Sequence, residues 1–366
     1  MPPERRYLFV LAGLLLAALA VTRVELFIRW QVNPKLDSNL VTLKKNFPLY
    51  KEDSEIVRKS SLLPLGTARK LAHSDAGSYL NSRLAWIPKA VSSTGAKTSL
   101  VSKDIREQLL RYENRWMPHY SRLEQMPADL SLFKDLARFD FWDLESASPI
   151  ATLTARAKFV PPSDLPIPDP EDLIALSKLR LMTAVTEESP VDALKQVHQL
   201  GLLLLTTENS QMIATGLAVL EDEINAYHYL VHGKYLAPQL WTPLDPLLIR
   251  RARRVAYATR GYLHLWTPKE MLKTIFLSEK EPPGFCAAMN DALPLEFSLR
   301  PFLEPHLPFE RDFSSEYAEL DAIVKRARTS CRLHYFGQIF DQGKIQGTLP
   351  GPRLLNHLPF WRKLFA

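Results

Sequence analysis

Four polar residues fall on one line of a segment with helical periodicity: Glu221, Asn225, His228 and His232 sit at offsets of 0, 4, 7 and 11. On a helix that spacing stacks them along one face, so two imidazoles one turn apart could share a divalent metal, with Glu221 adding an oxygen ligand. The order is not His-Glu-x-x-His, so the general-base carboxylate of the zinc peptidases is missing. Ala214 and Ala218 precede these residues on the same line and suit close helix packing. A hydrogen-bonded Glu/His network between helices is the competing reading. No metal or other cofactor is assigned.

A second cluster is FDFWDLE at 139–145, where Asp140, Asp143 and Glu145 alternate with Phe139, Phe141 and Trp142. Aromatic faces beside carboxylates can hold sugars, and two carboxylates at the right separation hydrolyse glycosides. Neighbours in sequence need not reach one substrate, however, and a loop that tucks its rings inward and exposes its acids has the same composition. Arg250, Arg251, Arg253, Arg254 and Arg260 make a third cluster. They could bind phosphate, but at about 100° per residue they cover half a helix circumference, as a solvated or ion-paired face does. Nucleophile signatures are weaker still. Ser131-Leu132-Phe133-Lys134 has the form Ser-x-x-Lys without its companion motifs, and Gly95-Ala96-Lys97-Thr98 lacks the Gly-Lys pair of a phosphate loop. No catalytic residue is assigned.

The location of these residues is set by the chain's first segment. Arg5 and Arg6 precede an uncharged run at 7–22 that is 16 residues long, about 24 Å as a helix at ~1.5 Å per residue. A hydrocarbon core of about 30 Å is thicker than that. Ala18-Leu19-Ala20 has the small-x-small form of a signal-peptidase site, which would start the mature chain at Val21. Against cleavage, apolar character resumes at Leu26, Phe27, Ile28 and Trp30, where Arg23 and Arg29 could snorkel. An uncleaved anchor over residues 7–30 is the preferred reading, with secretion after cleavage near Ala20 as the alternative. Both keep the N-terminus cytoplasmic and carry the body across the membrane, into the periplasm of an envelope that has one. Cys286 and Cys331 are the only cysteines, and in an oxidising compartment they could be bridged. Closing that loop of about 46 residues would contribute roughly 4 kcal/mol. Two separate buried thiols are the other possibility.

Composition bounds the body. Of 366 residues 46% are hydrophobic, enough for a sizeable core, and 28 prolines against 13 glycines argue against a hairpin-rich β protein. The net charge of +6 is too mild for a nucleic-acid binder of this length. Residues 31–98, polar and broken by prolines, read as an extended stalk followed by short helices. A Pro-rich connector occupies 157–170. Beyond it, Asp169-Pro170, Ser189-Pro190, Asp245-Pro246 and Thr267-Pro268 each place a capping side chain before a proline suited to the first helical position. Thr267 with Glu270 also fits a capping box. Ile213, Leu217, Leu220, Ile224, Tyr227 and Val231 form one apolar stripe, and helices near 170–186, 190–206 and 211–232 have short connections. The expectation is an all-α body over 99–340, built of packed antiparallel helical hairpins in an irregular or repeat-like array. A C-terminal tail at 341–366 would dock on the body or lie in a membrane interface.

The order of the anchor, FDFWDLE, DLIALSKLRLM (172–182), VDALKQVHQLGLLL (191–204) and QMIATGLAVLEDEINAYHYL (211–230) resembles a group of uncharacterised bacterial membrane-anchored helical proteins over residues 100–340. That resemblance implies an extracytoplasmic all-helical body and carries no activity. The expected function is a noncatalytic, membrane-anchored envelope module that binds or scaffolds another envelope protein. The alternatives are an envelope hydrolase, acting on glycans or dependent on metal, and a glycan- or lipid-binding module.

Overall fold

The computed structural model describes residues 33–62, 74–87, 99–111, 130–150, 166–185, 189–263, 267, 269–290 and 313–331. The apolar run at 7–30, most of the connector at 157–170 and the tail at 341–366 lie outside them. Among the described residues no helix is long and apolar enough to cross a membrane. The fold is mostly helical, as the sequence periodicity predicts. Its helices are α1 (Asn33–Arg58), α2 (Gly77–Leu80), α3 (Lys103–Arg111), α4 (Pro170–Thr183), α5 (Pro190–Thr206), α6 (Ser210–His232), α7 (Pro246–Tyr262), α8 (Lys269–Phe276) and α9 (Phe313–Ser330), with a short helical segment at 285–290. Strand pairing among the described residues is confined to β1 (Trp86–Ile87) against β2 (Ile167–Pro168), antiparallel, and a bridge between Asp75 and Phe141.

Helix starts follow the capping signals in part. Asp169 accepts from the Glu171 and Asp172 amides with Pro170 in the first turn of α4, and Asp245 accepts from Leu247 N at 2.8 Å. Ser189 makes no capping bond. Thr267 is fully buried and its hydroxyl has no hydrogen-bond partner, so the expected capping box with Glu270 is not formed. Asn209 caps α6 instead of leaving its start to Ser210, accepting from Gln211 N and Met212 N at 3.0 Å each.

Helix α6 separates two apolar cores. Met212, Val219, Ala226 and Leu230 face a core built with α3, α4, α5 and the 130–150 segment. Ile213, Leu217, Leu220 and Ile224 face a second core built with α1, α7, α8, the 285–290 segment and α9. The stripe read from the sequence is therefore only half of the buried surface. What remains to solvent is a narrow strip that runs through Ala214, Ala218, Glu221, Asn225, His228 and His232.

The stalk expected after the anchor is, over Asn33–Arg58, a 26-residue helix packed into the second core. Leu43, Phe47, Tyr50, Ser54 and Val57 repeat at alternating spacings of four and three and form its inner side, the pattern of a helix laid along another helix. Pro48 lies within α1 but on its exposed side, where the Lys44 carbonyl that loses its partner can be hydrated. Asp53 meets Arg254, Tyr50 meets Thr259 and Leu43 meets Tyr262, so α1 runs antiparallel to α7. At the far end Cys286 and Cys331 are joined, their Cα atoms 5.3 Å apart, tying the end of α9 to the 285–290 segment.

Helices α5 and α6 are also antiparallel: His198 meets Glu223 while Gly201 meets Gly216 and Leu220. Their backbones touch at the glycines, since a Cβ on Gly216 would sit 2.8 Å from Leu204 Cβ and 2.9 Å from the Gly201 carbonyl. Helix propensity favours alanine over glycine by up to about 1 kcal/mol, but this overlap costs about 1–3 kcal/mol, so Gly216→Ala is expected to destabilise. Gly261, in the last turn of α7, has nothing within 4 Å of its missing Cβ. Gly261→Ala is expected to stabilise by roughly 0.5–1 kcal/mol. Urea unfolding with the disulfide intact should move the two midpoints in opposite directions.

Candidate functional site

The three clusters singled out for chemistry lie apart, and the one on α6 is arranged differently from the sequence reading. Glu221, Asp222 and Glu223 are consecutive, so at about 100° per residue they point to three sides of the helix. Each meets a cation or donor from a different neighbour. Glu221 accepts from Arg253 Nη2 of α7 at 2.7 Å, with both side chains partly exposed. Asp222 lies 3.8 Å from Lys178 Nζ of α4, and that ammonium also donates to the Leu109 carbonyl of α3 at 3.2 Å. Glu223, 0% exposed, has one oxygen 2.7 Å from His198 Nδ1 of α5 and the other 2.7 Å from Trp241 Nε1.

The line Glu221, His228 and His232 does not assemble a metal shell. Its histidines are exposed at the C-terminal end of α6, His228 lies edge-on to Tyr227, and Glu221 is ion-paired to Arg253. Among the described residues no three His, Cys, Asp or Glu side chains gather around one point.

His198, Glu223 and Trp241 are the site-like group that the sequence reading passed over. A carboxylate only accepts, so His198 Nδ1 carries the proton toward Glu223 and Nε2 is left as the basic nitrogen. The Trp241 ring stands edge-on to the imidazole at 5.4 Å and fixes its orientation further. Such a histidine is a positioned proton acceptor, yet no described hydroxyl or thiol is hydrogen-bonded to its Nε2. The signal available in the sequence was Glu223 itself, a charge one position before Ile224 inside a buried arc, which requires a partner.

FDFWDLE is a structural knot. Phe139, Trp142, Asp143 and Leu144 are buried. The Trp142 indole donates to Asn81 Oδ1 at 2.8 Å, and its amide donates to Thr206 Oγ1 at 2.8 Å. Asn81 Nδ2 donates to the carbonyls of Asp143 and Ser146, while Asp75 accepts from the Gly77 and Asp143 amides and the Ser146 hydroxyl. The carboxylate of Asp143 turns back on its own loop, accepting from Glu145 N and Ser146 Oγ. Asp140 is exposed and Glu145 is half-buried, so the acids do not all face solvent as the loop reading expected.

The arginines of α7 divide the same way. Arg254 grips one oxygen of Asp53 with two nitrogens at 2.8 and 2.9 Å, and Arg251 lies 3.5 Å from the other oxygen. Asp53 is 1% exposed, so these contacts hold a buried anion of α1. Arg250 and Arg260 face solvent. Beside this clamp Tyr50 and Thr259 share a 3.0 Å hydrogen bond, and the Tyr262 hydroxyl donates to the Leu43 carbonyl at 3.0 Å. Burial raises both phenols above the usual range. Tyr262 is pushed up to about 12, with repulsion from Tyr50 as a second cause, while the hydrogen bond with Thr259 and the nearby Arg58 charge offset part of the rise at Tyr50.

The chain matches no family model, no curated protein and no solved structure.

Two outcomes follow from these contacts. Glu223→Ala takes the shared acceptor from the part-buried Trp241 and His198 donors and should cost about 2–3 kcal/mol, whereas Glu221→Ala, which breaks a partly exposed pair, should cost under about 1 kcal/mol. Guanidinium denaturation of the two variants measures the gap. At high pH the phenol ionises near 10 in the unfolded chain, so the stabilisation from neutral Tyr50 and Tyr262 is complete below pH ~10. The share from Tyr262 should be lost as pH rises from about 10 to about 12, and the raised Tyr50 phenol adds a loss of the same sign above pH ~10, so the denaturation midpoint falls as the pH is raised. Phenolate absorbance should show two tyrosines that titrate only as the protein opens.

Proposed function

We propose that the chain is a noncatalytic helical interaction or scaffold module, held at a membrane through residues 7–30 with its body on the extracytoplasmic side. The observation that carries this reading is the seam between α1 and α7. Helix α1 starts at Asn33, directly after the apolar segment, and is fixed to the body by the buried Asp53 clamp and by Tyr50 and Tyr262. A tether joined in this way holds the body at a defined height and orientation, which a scaffold needs and a freely diffusing enzyme does not. The bridged Cys286 and Cys331 support the oxidising side of the membrane. The glycan-binding alternative loses its main support because Trp142 is buried.

Fusions to the C-terminus of the full chain test the topology: alkaline phosphatase should be active and β-galactosidase inactive. The reverse result, or cysteines that alkylate in cells without prior reduction, would sink the extracytoplasmic assignment. For the scaffold role, affinity isolation of the folded full chain from crosslinked membranes should recover one partner in near-stoichiometric amount. Recovery of none would remove it.

A further inference from the structure

Beside the second core, α6 and α7 line a groove together with Gly284 and with Ala287 of the 285–290 segment. Its floor is Ile213 and Leu217, both 1% exposed. Small residues from all three walls, Ala214, Ala256 and Ala287, keep it open where larger side chains would have filled it. The groove is small and open to solvent at its mouth. One rim is a line along α7: Arg253, Tyr257 and Arg260 lie four and three residues apart. Tyr257 is 64% exposed, and Arg260 makes no ion pair with any described residue. Arg253 is ion-paired with Glu221 of α6, so of the two rim arginines Arg260 is the one without an acid among the described residues.

We infer that this groove is the docking site for an acidic segment of a partner protein that inserts one apolar side chain, such as leucine or phenylalanine, between α6 and α7. The inference rests on the scaffold reading and gives that scaffold its contact surface. Charge complementarity selects the flanks of the segment, because the unmatched guanidinium of Arg260 favours a carboxylate. Dimensions select a side chain over a lipid tail. The α6 wall runs from Ser210 to Leu217, about 10 Å at ~1.5 Å per residue, which is too short for an extended acyl chain. Tyr257 offers the exposed aromatic surface on which such contacts concentrate their energy.

The test is selection from a random peptide display library against the folded full chain in detergent. Enriched peptides should carry an apolar residue flanked by Asp or Glu, and the best of them, fluorescently labelled, should bind at least tenfold more weakly to Arg260→Glu and to Ala256→Phe. Binding should also weaken as salt is added. Arg260 is exposed, so the first variant keeps its fold, and unchanged thermal unfolding confirms this. Enrichment of basic or uncharged peptides, no enrichment, or equal affinity for both variants would overturn the inference. So would Arg260-dependent flotation with phosphatidylglycerol vesicles in the absence of peptide selection, which assigns the groove to lipid. A dimer abolished by Ala256→Phe in sedimentation velocity would likewise overturn it, in favour of a second copy. If the partner isolated from membranes binds Arg260→Glu as well as wild type, the groove assignment fails while the scaffold reading stands.

Discussion

A helix buried on both sides has no cheap place for charge, and α6 carries three acids in a row at its centre. The constraint is resolved by direction. Because successive residues turn by about 100°, Glu221, Asp222 and Glu223 leave the helix toward α7, α4 and α5, and each of those helices brings a partner. An isolated buried carboxylate would cost several kcal/mol, so α4 and α5 cannot slide or rotate on α6 without stranding Asp222 or Glu223, while the partly exposed Glu221 adds a weaker preference on the α7 side. Apolar packing alone would tolerate several registers. The acidic triplet, together with the close contact at Gly201 and Gly216, selects one.

The same logic holds α1. Its inner side is apolar enough to lie along α7, but Asp53 buried in that seam fixes where along α7 it lies, because Arg251 and Arg254 are one turn apart and both must reach the same carboxylate. The two cores thus share a design in which leucine-rich surfaces supply the attraction and a buried acid sets the register. Arg250 and Arg260, left on the outer side of the same helix, are the charges available to something other than the fold.

Much of the helical frame was legible in the sequence because it is written locally. Asp169-Pro170 and Asp245-Pro246 cap helices in the way their chemistry requires, and the period of Ile213, Leu217, Leu220 and Ile224 is visible without any partner. What was missed depends on contacts distant in the chain. The heptad-like side of α1 was masked by Pro48 and by its polar outer side, and it is only meaningful once α7, some two hundred residues on, is beside it. Glu223 and His198 sit 25 residues apart, and the third member, Trp241, lies in the loop after α6. The line Glu221, His228 and His232 was real as a line, but a helical face cannot say whether it meets solvent or a neighbour. Here it is what is left when two cores have taken the rest of the helix.

That remainder explains where an interaction surface can lie. With its two broad sides committed to cores, α6 exposes a strip one residue wide, and the neighbours on either flank decide what the strip becomes. Toward its C-terminus the strip carries His228 and His232. Toward its N-terminus the strip narrows to alanine, and between it and α7 the floor is Ile213 and Leu217. Filling the gap with one larger residue at 214 or 256 would bury more apolar surface at no evident conflict with the acidic triplet, which lies beyond it. The α6–α7 groove, floored by Ile213 and Leu217 and rimmed by the exposed Arg260, is thus a place where the described fold leaves unfilled a space that its own side chains could occupy.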